Sequence, residues 1–169
     1  MVARPESMLD LWSDPRDPDI VARREKPSRG LLDPVARRLR LPFGTPELID
    51  RIVSGAENQA GRRTLHMLLT TWDHTGGGPF AASAIATAGL AKTADIVQGL
   101  FIGPVFDPLL RALKADHIKF RASLCASQVV GLGIMRYGLR AEPIHSMDVD
   151  TLVDAVAPTL QRYLVGDIS

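Results

Sequence analysis

The sequence predicts an all-α protein. From residue 45 onward, apolar side chains recur at helical spacing, and no run alternates apolar and polar residues between turn signals as a half-buried strand does. Proline and glycine mark the expected starts and ends of the helices, for example at Pro46 and at the glycines 76 to 78. The chain has 169 residues, 46% of them hydrophobic, which is enough for one domain with its own core.

Composition limits which partners the chain can bind and where in the cell it is expected. Twenty Lys and Arg against nineteen Asp and Glu leave a net charge of +1, so a nucleic-acid or anionic-membrane partner would need a local patch. The single cysteine, Cys125, excludes an internal disulfide. The longest uncharged stretches are shorter than the roughly 20 residues that cross a bilayer, and residues 1 to 19 contain no apolar signal region. We expect a soluble, cytoplasmic chain without a membrane partner.

The first 40 residues differ from the rest. Seven of the twelve prolines lie within residues 1–46, where they interrupt regular structure. Residues 23–40 carry seven basic and two acidic side chains. This stretch is either an arm for nucleic acid or another anion, or a solvated tail with a short peripheral helix from Leu32 to Leu41. We therefore divide the chain into an irregular, charged segment, 1–40, and a helical domain, 41–169.

Two helices are predicted in the first part of the domain. Thr45 is expected to cap a short helix that reaches about Ser54, with proline and an acidic residue in its first turn. The second helix carries one apolar stripe at i, i+3, i+4 and i+7, formed by Leu65, Leu68, Leu69 and Trp72.

Two more helical stretches are predicted in the middle of the chain. Residues Phe80 to Ala88 are small and apolar enough to form a buried helix. The next helix runs from about Thr93 to Leu113. Pro104 and Pro108 are expected to kink or split it, because proline lacks the backbone N–H and its ring clashes with the preceding turn.

The last two predicted helices carry the most apolar surface. Asp116 is expected to cap a helix from His117 to about Gly138 that is apolar nearly all round. The final helix, Val149 to Leu164, has one clean apolar face and a C-terminal cap at Gly166. Small residues on the earlier helix recur every four positions and would let another helix approach closely: Ser123, Ser127 and Gly131. Together the two helices carry more apolar surface than a single small bundle can cover, which predicts a homodimer.

The sequence does not match common catalytic or nucleotide-binding motifs. No Walker loop or Gly-x-Ser-x-Gly elbow occurs, and the Gly-Leu-Gly at 131–133 is followed by Arg136 where a dinucleotide fingerprint needs glycine. The four histidines do not fall at metal-binding spacing, and apolar neighbours make Cys125 a poor nucleophile. We expect no enzyme activity, no metal site and no cofactor.

Three features have both a ligand-binding and a structural interpretation. His66 lies at the edge of the apolar stripe, either as a ligand contact or as a hydrogen-bonded boundary residue. Gln128 is the amide within a long apolar run, where it contacts an effector or is satisfied by its neighbours. A set of large side chains forms either core or the wall of an apolar pocket: Met67, Trp72, Phe80, Phe101, Phe106 and Met135.

Four strings carry a family resemblance: LRLPFGTPELIDRIVSG, RRTLHMLLTTWDH, LFIGPVFDPLLRAL and, most specifically, RASLCASQVVGLGIMRYGLRAEPIHSMDVDTLVDAVAPTLQRYLVG. Over about residues 39–166 the chain resembles the C-terminal regulatory domain of the tetracycline-repressor (TetR) family of bacterial regulators, especially the actinobacterial type. The resemblance implies an antiparallel helical bundle that binds a small, lipophilic effector and dimerises through its last two helices.

The resemblance also implies site residues. The helices 116–138 and 148–164 would form a four-helix bundle with a second copy. Its interface would include Ser123, Ser127, Val130, Gly131, Ile134, Val153, Val156 and Leu160. The effector cavity would lie among the preceding helices and one side of the helix 116–138, lined by Leu65, His66, Leu69, Trp72, Phe101, Leu124 and Gln128.

One part of the family pattern is not recognisable. Family members bind operator DNA through an N-terminal helix-turn-helix, and residues 1–38 do not reproduce it. The chain is then either a truncated or frame-altered regulator or one whose DNA reader has been replaced. The leading hypothesis is a transcriptional regulator's effector-binding and dimerisation domain. The alternative is a dimerisation module without a usable pocket that pairs with a full-length relative.

Overall fold

The computed structural model describes residues 37–41, 44–80 and 97–168. Within these ranges the regular structure is helical, without strands, which confirms the predicted all-α class. No helix in these ranges is long and apolar enough to span a membrane. Within these ranges, the α-helices of six or more residues are α1 (Thr45–Val53), α2 (Ala60–His74), α3 (Asp107–Ala112), α4 (Ile118–Gly133) and α5 (Val149–Val165). Two π-type segments, Gln98–Phe106 and Ile134–Gly138, precede α3 and follow α4, and short 3-10 turns occupy Glu57–Gln59 and Gly78–Phe80.

Helix α1 begins differently from the prediction. The N-cap is Gly44, which has the extended backbone that a cap requires, whereas Thr45 is already helical. The cap prediction for Thr45 was therefore wrong: its side chain is buried, and its hydroxyl has no hydrogen-bond partner among the described residues. At the other end of α1, Arg63 Nε donates to the carbonyl of Ile52 at 2.9 Å and so satisfies one of the terminal carbonyls.

Helix α2 buries the predicted stripe, and its main packing partner is α5. All four stripe residues are completely buried. The two helices touch at Gly61, where an added Cβ would lie 2.5 Å from the backbone nitrogen of Gln161 and 2.8 Å from the carbonyl oxygen of Ala157. The Gln161 amide accepts a hydrogen bond from the Gly61 N–H at 2.7 Å and donates to the Glu57 carbonyl at 2.9 Å. A side chain of α5 thus caps the start of α2.

The middle of the chain is partly described. The predicted helix Phe80–Ala88 lies outside the described residues except for Phe80, which ends a 3-10 turn. From Gln98 the chain runs in π-type turns through Pro104, and regular α-helical bonding starts at Asp107, with Pro108 in the first turn of α3. The predicted disturbance at these prolines is confirmed, since a wider turn accommodates a residue that cannot donate its N–H.

Helix α4 and the π turn after it cover the predicted helical range, but the residue predicted as the N-cap was wrong. Its N-cap is His117, with a left-handed backbone (φ 42°), and no side chain caps it. The cap prediction for Asp116 was wrong, because its carboxylate accepts a hydrogen bond from Arg121 Nε at 2.7 Å instead. After Gly133 the helix widens into the π turn that ends at Gly138.

The last helix and the N-terminal end of the described chain both join the core. Asp148 caps α5 by accepting from the Thr151 N–H at 2.9 Å, and Gly166 is the predicted C-cap. Leu39 is completely buried although it precedes the expected boundary at residue 40. Its carbonyl accepts from Trp72 Nε1 at 3.0 Å, which joins this end of the chain to α2.

Replacing Gly61 with alanine should destabilise the domain. The new Cβ would meet backbone atoms that cannot rotate away, so we expect the free energy of unfolding to fall by about 1–3 kcal/mol. Gly99→Ala is the matched control because Gly99 is exposed in the segment Gln98–Phe106 and a Cβ there meets open space, so stability should change by no more than about 1 kcal/mol. Urea denaturation followed by circular dichroism measures both, and equal shifts would contradict the close helix contact.

Candidate functional site

Trp72 lies at the centre of an aromatic cluster formed by Trp72, Phe80, Phe101 and Tyr137. Its ring meets the other three edge-on, with centroid distances of 5.1 Å to Phe80, 6.1 Å to Phe101 and 6.3 Å to Tyr137. Phe80 and Phe101 stack on each other at 5.6 Å. These are the favourable geometries for aromatic pairs.

Two glycines make room for this aromatic cluster. A Cβ at Gly78, whose φ is +54°, would lie 2.2 Å from the Trp72 ring, and one at Gly133 would lie 2.3 Å from the Phe80 ring. Any larger residue at Gly133 would displace Phe80 from α4. The turn after α2 and the end of α4 are thus shaped to the aromatic cluster.

The structure brings together four of the seven predicted effector residues. Leu65, Leu69, Trp72 and Phe101 are all completely buried in one core. Leu124 is half-buried on α4.

The other two predicted effector residues lie elsewhere. The His66 side chain is 46% exposed, and its Nε2 lies 3.5 Å from Asp150 Oδ1 in the first turn of α5. Gln128 lines a groove between α4 and α5. The apolar periodicity of the sequence could not distinguish these two residues from buried ones, because each is next to the apolar face of its helix.

This outer groove encloses about 460 Å³ on the side of α4 and α5 that faces away from α2. Its lining is mostly apolar, which is unusual for an exposed face. The lining residues are Ser127, Gln128, Gly131, Leu132, Met135, Ile144, Met147, Leu152, Ala155 and Val156. A second cavity of about 550 Å³ lies near the start of α4 and the end of α5, and includes Phe120 and Arg121.

Some of the predicted dimer residues lie on the outer face, the side of α4 and α5 that carries the outer groove, and others lie in the core. Ser123, Ser127 and Gly131 are exposed along α4, and Val130, Ile134 and Val156 are half-buried. On the same side, Phe120 of α4 is 55% exposed and Met135 of the following π turn is 37% exposed. By contrast, Val153 and Leu160 are completely buried, because α5 packs them against its own chain. These two therefore cannot reach a second copy in this structure.

Between the aromatic cluster and the outer groove lies a charged assembly that we call the Arg136 clamp. Arg136, which is 5% exposed, donates from Nε and Nη2 to the two carboxylate oxygens of Asp73 at 3.2 and 3.0 Å. Its Nη1 donates to the carbonyls of Ile144 and Met147 at 2.8 and 2.7 Å. Tyr137 completes the Arg136 clamp by donating its hydroxyl to Asp73 at 2.7 Å.

Burial and hydrogen bonding act in opposite directions on the Asp73 carboxyl. Burial raises its pKa, but the hydrogen bonds from Arg136 and Tyr137 and the charge of Arg136 outweigh burial and hold the pKa below its ordinary value. The same hydrogen bond to Asp73 raises the pKa of Arg136. Both partners therefore stay charged at neutral pH.

Two observations concern the candidate nucleophile and metal ligands among the described residues. Burial raises the pKa of Cys125 to about 12, so its thiol is protonated at neutral pH. No three His, Cys, Asp or Glu side chains within the described ranges lie close enough together to hold a metal ion.

Sequence reasoning missed Arg136 and its counterpart Arg121 because charged side chains are usually exposed. The signal was present in their spacing. Five buried residues follow one another at helical intervals along one face of α4 and the π turn after it: Arg121, Cys125, Val129, Leu132 and Arg136. An arginine in phase with an apolar stripe indicates a buried, fully bonded guanidinium.

Comparison with known proteins agrees with this architecture. The family described as tetracyclin repressor-like, C-terminal domain, matches residues 58–164. Among solved structures, the chain is similar to a TetR-family regulator from Streptomyces coelicolor A3, with 25% sequence identity and a TM-score of 0.57. That similarity covers 82% of this chain and 92% of the other. A comparison with curated protein sequences finds no match.

Replacing Asp73 with asparagine should change how stability depends on pH. Because the folded-state pKa is lowered, the carboxylate stabilises the fold fully above the unfolded pKa of about 3.9. This contribution is lost as the pH falls through the folded value. We expect Asp73→Asn to be about 1–2 kcal/mol less stable at neutral pH, with a difference that shrinks in acid.

Urea denaturation at several pH values measures this difference. Asp154→Asn is the matched control, because Asp154 pairs with Arg62 on the exposed surface, where an ion pair contributes at most about 1 kcal/mol. A stability difference for Asp73→Asn that does not change between neutral and acid pH would contradict the role given to the carboxylate.

Proposed function

Because the chain belongs to the tetracycline repressor-like (TetR) family through its C-terminal domain, we propose that its helical region is the effector-binding and dimerisation domain of a cytoplasmic, non-enzymatic transcriptional regulator. One observation carries this proposal. A buried aromatic cluster and an outward-facing apolar groove lie on opposite sides of α4, joined by the Arg136 clamp. We place the start of this domain no later than Leu39, because Leu39 is part of the core.

The effector site that we propose lies at the aromatic cluster. Leu65, Leu69, Trp72 and Phe101 supply apolar and aromatic surface there, and such walls select a ligand by shape and by apolar area. The indole N–H of Trp72 is already bonded to the chain. We therefore propose a small, lipophilic effector. We assign no effector contact to His66, whose exposed side chain lies beside Asp150 of α5.

The homodimer that we propose forms through the outer face of α4 and α5. Its centre is the small-residue row Ser123, Ser127 and Gly131, which allows close helix packing. Phe120 and Met135 lie towards the two ends of this row and would lose their solvent exposure in a two-fold assembly. We assign Gln128 to this face rather than to the effector site, because it lines the outer groove.

The regulatory output that we propose follows from two-fold symmetry. A dimer of this domain would set the separation of two DNA-reading elements on a palindromic operator. An effector that binds one separation better shifts the population toward it. The basic residues 23–40, most of which lie outside the described residues, would add contacts with phosphate that do not depend on base sequence.

A second candidate function is a dimerisation module that does not bind an effector. The observation in its favour is that all four proposed lining residues are completely buried, as in a closed core. In this case the outer face alone would act, by pairing with a full-length relative.

The dimer proposal predicts that a charge at the centre of the outer face separates the copies. Ser127 is exposed on α4, so Ser127→Glu would place like charges near the two-fold axis and raise the dimer Kd at least about a hundredfold. Ser54→Glu makes the same change at an exposed site after α1 and should leave the Kd unchanged. Analytical ultracentrifugation measures both. A monomeric parent chain, or an unchanged Kd for Ser127→Glu, would refute the proposal.

The effector proposal predicts saturable binding of an apolar probe at the aromatic cluster. In the full chain with Trp12→Phe, energy transfer from Trp72 to anilinonaphthalene sulfonate reports binding near this cluster. Phe101→Leu removes one aromatic ring from the proposed site and should weaken binding about threefold to tenfold. The control, Phe120→Leu, changes an exposed ring and should have no effect. If Phe120→Leu weakens binding and Phe101→Leu does not, the dimerisation module is the better description.

A further inference from the structure

We propose that the Arg136 clamp couples the aromatic cluster to the outer groove, so that a displacement on one side changes the other. Asp73 connects the two sides, because it accepts hydrogen bonds from both Arg136 and Tyr137. The inference deepens the proposed function by naming how an effector at the aromatic cluster would reach the dimer face. The coupling itself can be measured without an effector or a dimer.

On one side, the Arg136 clamp is attached to the aromatic cluster at two points. Asp73 directly follows Trp72 on α2, so its carboxylate moves with the Trp72 backbone. Tyr137 meets the Trp72 ring edge-on at 6.3 Å and donates its hydroxyl to the same carboxylate at 2.7 Å. A ligand that displaces Trp72 would therefore strain the hydrogen bonds that Asp73 accepts from Arg136 and from Tyr137.

On the other side, the Arg136 clamp holds the wall of the outer groove. The carbonyls of Ile144 and Met147 accept hydrogen bonds from Arg136 Nη1, and the same two residues line the groove. His145, between them, has its Nδ1 2.9 Å from the Arg136 carbonyl. The position of one guanidinium thus sets the position of the segment 144–147.

The chemistry of arginine makes the two sides interdependent. A guanidinium is planar and rigid, so the nitrogens bonded to Asp73 and the nitrogen bonded to the segment 144–147 move as one unit. The Arg136 side chain is only 7% exposed, and a buried cation that loses its carboxylate is strongly unfavourable. Displacing Asp73 would force the guanidinium to move, and with it the groove wall.

The backbone at this point supports the assignment. Arg136 and Tyr137 are consecutive residues, and both reach Asp73. They lie in the π turn Ile134–Gly138, where α4 widens. Such turns are uncommon and are often found at functional sites. Here the π turn lets two neighbouring side chains converge on one carboxylate.

The test perturbs the aromatic cluster and reads the groove wall. Hydrogen exchange of the amides in residues 139–148 is measured for the full chain, for Phe101→Leu, for Asp73→Asn and for the double variant, at one protein concentration and neutral pH. Residues 159–164, at the other end of α5, serve as the internal reference for global loosening. The matched control repeats the series with Asp154→Asn in place of Asp73→Asn.

Coupling predicts a specific pattern. Phe101→Leu should raise exchange in residues 139–148 at least about threefold relative to the reference segment when the Arg136 clamp is intact, and by much less once Asp73→Asn has broken it. The Asp154→Asn background should leave the full effect. In the reverse direction, Met147→Ala should shift Trp72 emission in the Trp12→Phe chain, and Asp73→Asn should abolish that shift.

Other outcomes overturn the proposal. It fails if Phe101→Leu has the same effect with and without Asp73, if it has none with the Arg136 clamp intact, or if both segments loosen equally. Tyr137→Phe, which removes one bond to Asp73, is the milder variant should Asp73→Asn fold poorly, and it should reduce the transmitted effect. Loss of dimerisation or of probe binding would refute the proposed function and leave the exchange comparison valid.

Discussion

Two buried arginines, one near each end of α4, determine how the last two described helices pair. Arg121 donates to the carbonyls of Tyr163 and Gly166, both at 2.9 Å, and so satisfies the end of α5. Arg136 donates to the carbonyls of Ile144 and Met147, just before α5 begins. A buried guanidinium without partners is costly, so α5 can neither slide along α4 nor reverse its direction without breaking one set of bonds.

This constraint explains why the remaining packing can be so close. With α5 held at both ends, its middle meets α2 at Gly61, and the Gln161 amide replaces a local cap on α2. Helix α2 then places Asp73 where Arg136 needs a carboxylate. The apolar core supplies most of the favourable free energy, whereas these polar contacts select one arrangement among many apolar ones.

The predictable part of this fold was the part that depends on local periodicity. The stripe on α2, the extent of α4 and the cap at Gly166 follow from spacing and from glycine at a helix end. Periodicity identifies an apolar face but not its partner, which is why Val153 and Leu160 were expected to meet a second copy and instead contact their own chain. Asp116 looked like a cap because the left-handed backbone at His117 has no clear sequence signal.

The same reasoning explains why the candidate site was only partly predictable. Aromatic residues on apolar stripes indicated the cluster, but the Arg136 clamp joins residues 63 positions apart in sequence, and no local pattern links Asp73 to Arg136. An apolar contact at this point would tolerate small shifts, because dispersion and burial vary gradually with distance. A bidentate charged pair does not, since its hydrogen bonds weaken steeply with angle. If the Arg136 clamp couples the buried cluster to the surface groove as we propose, such an ion pair would favour two distinct arrangements over a continuous range.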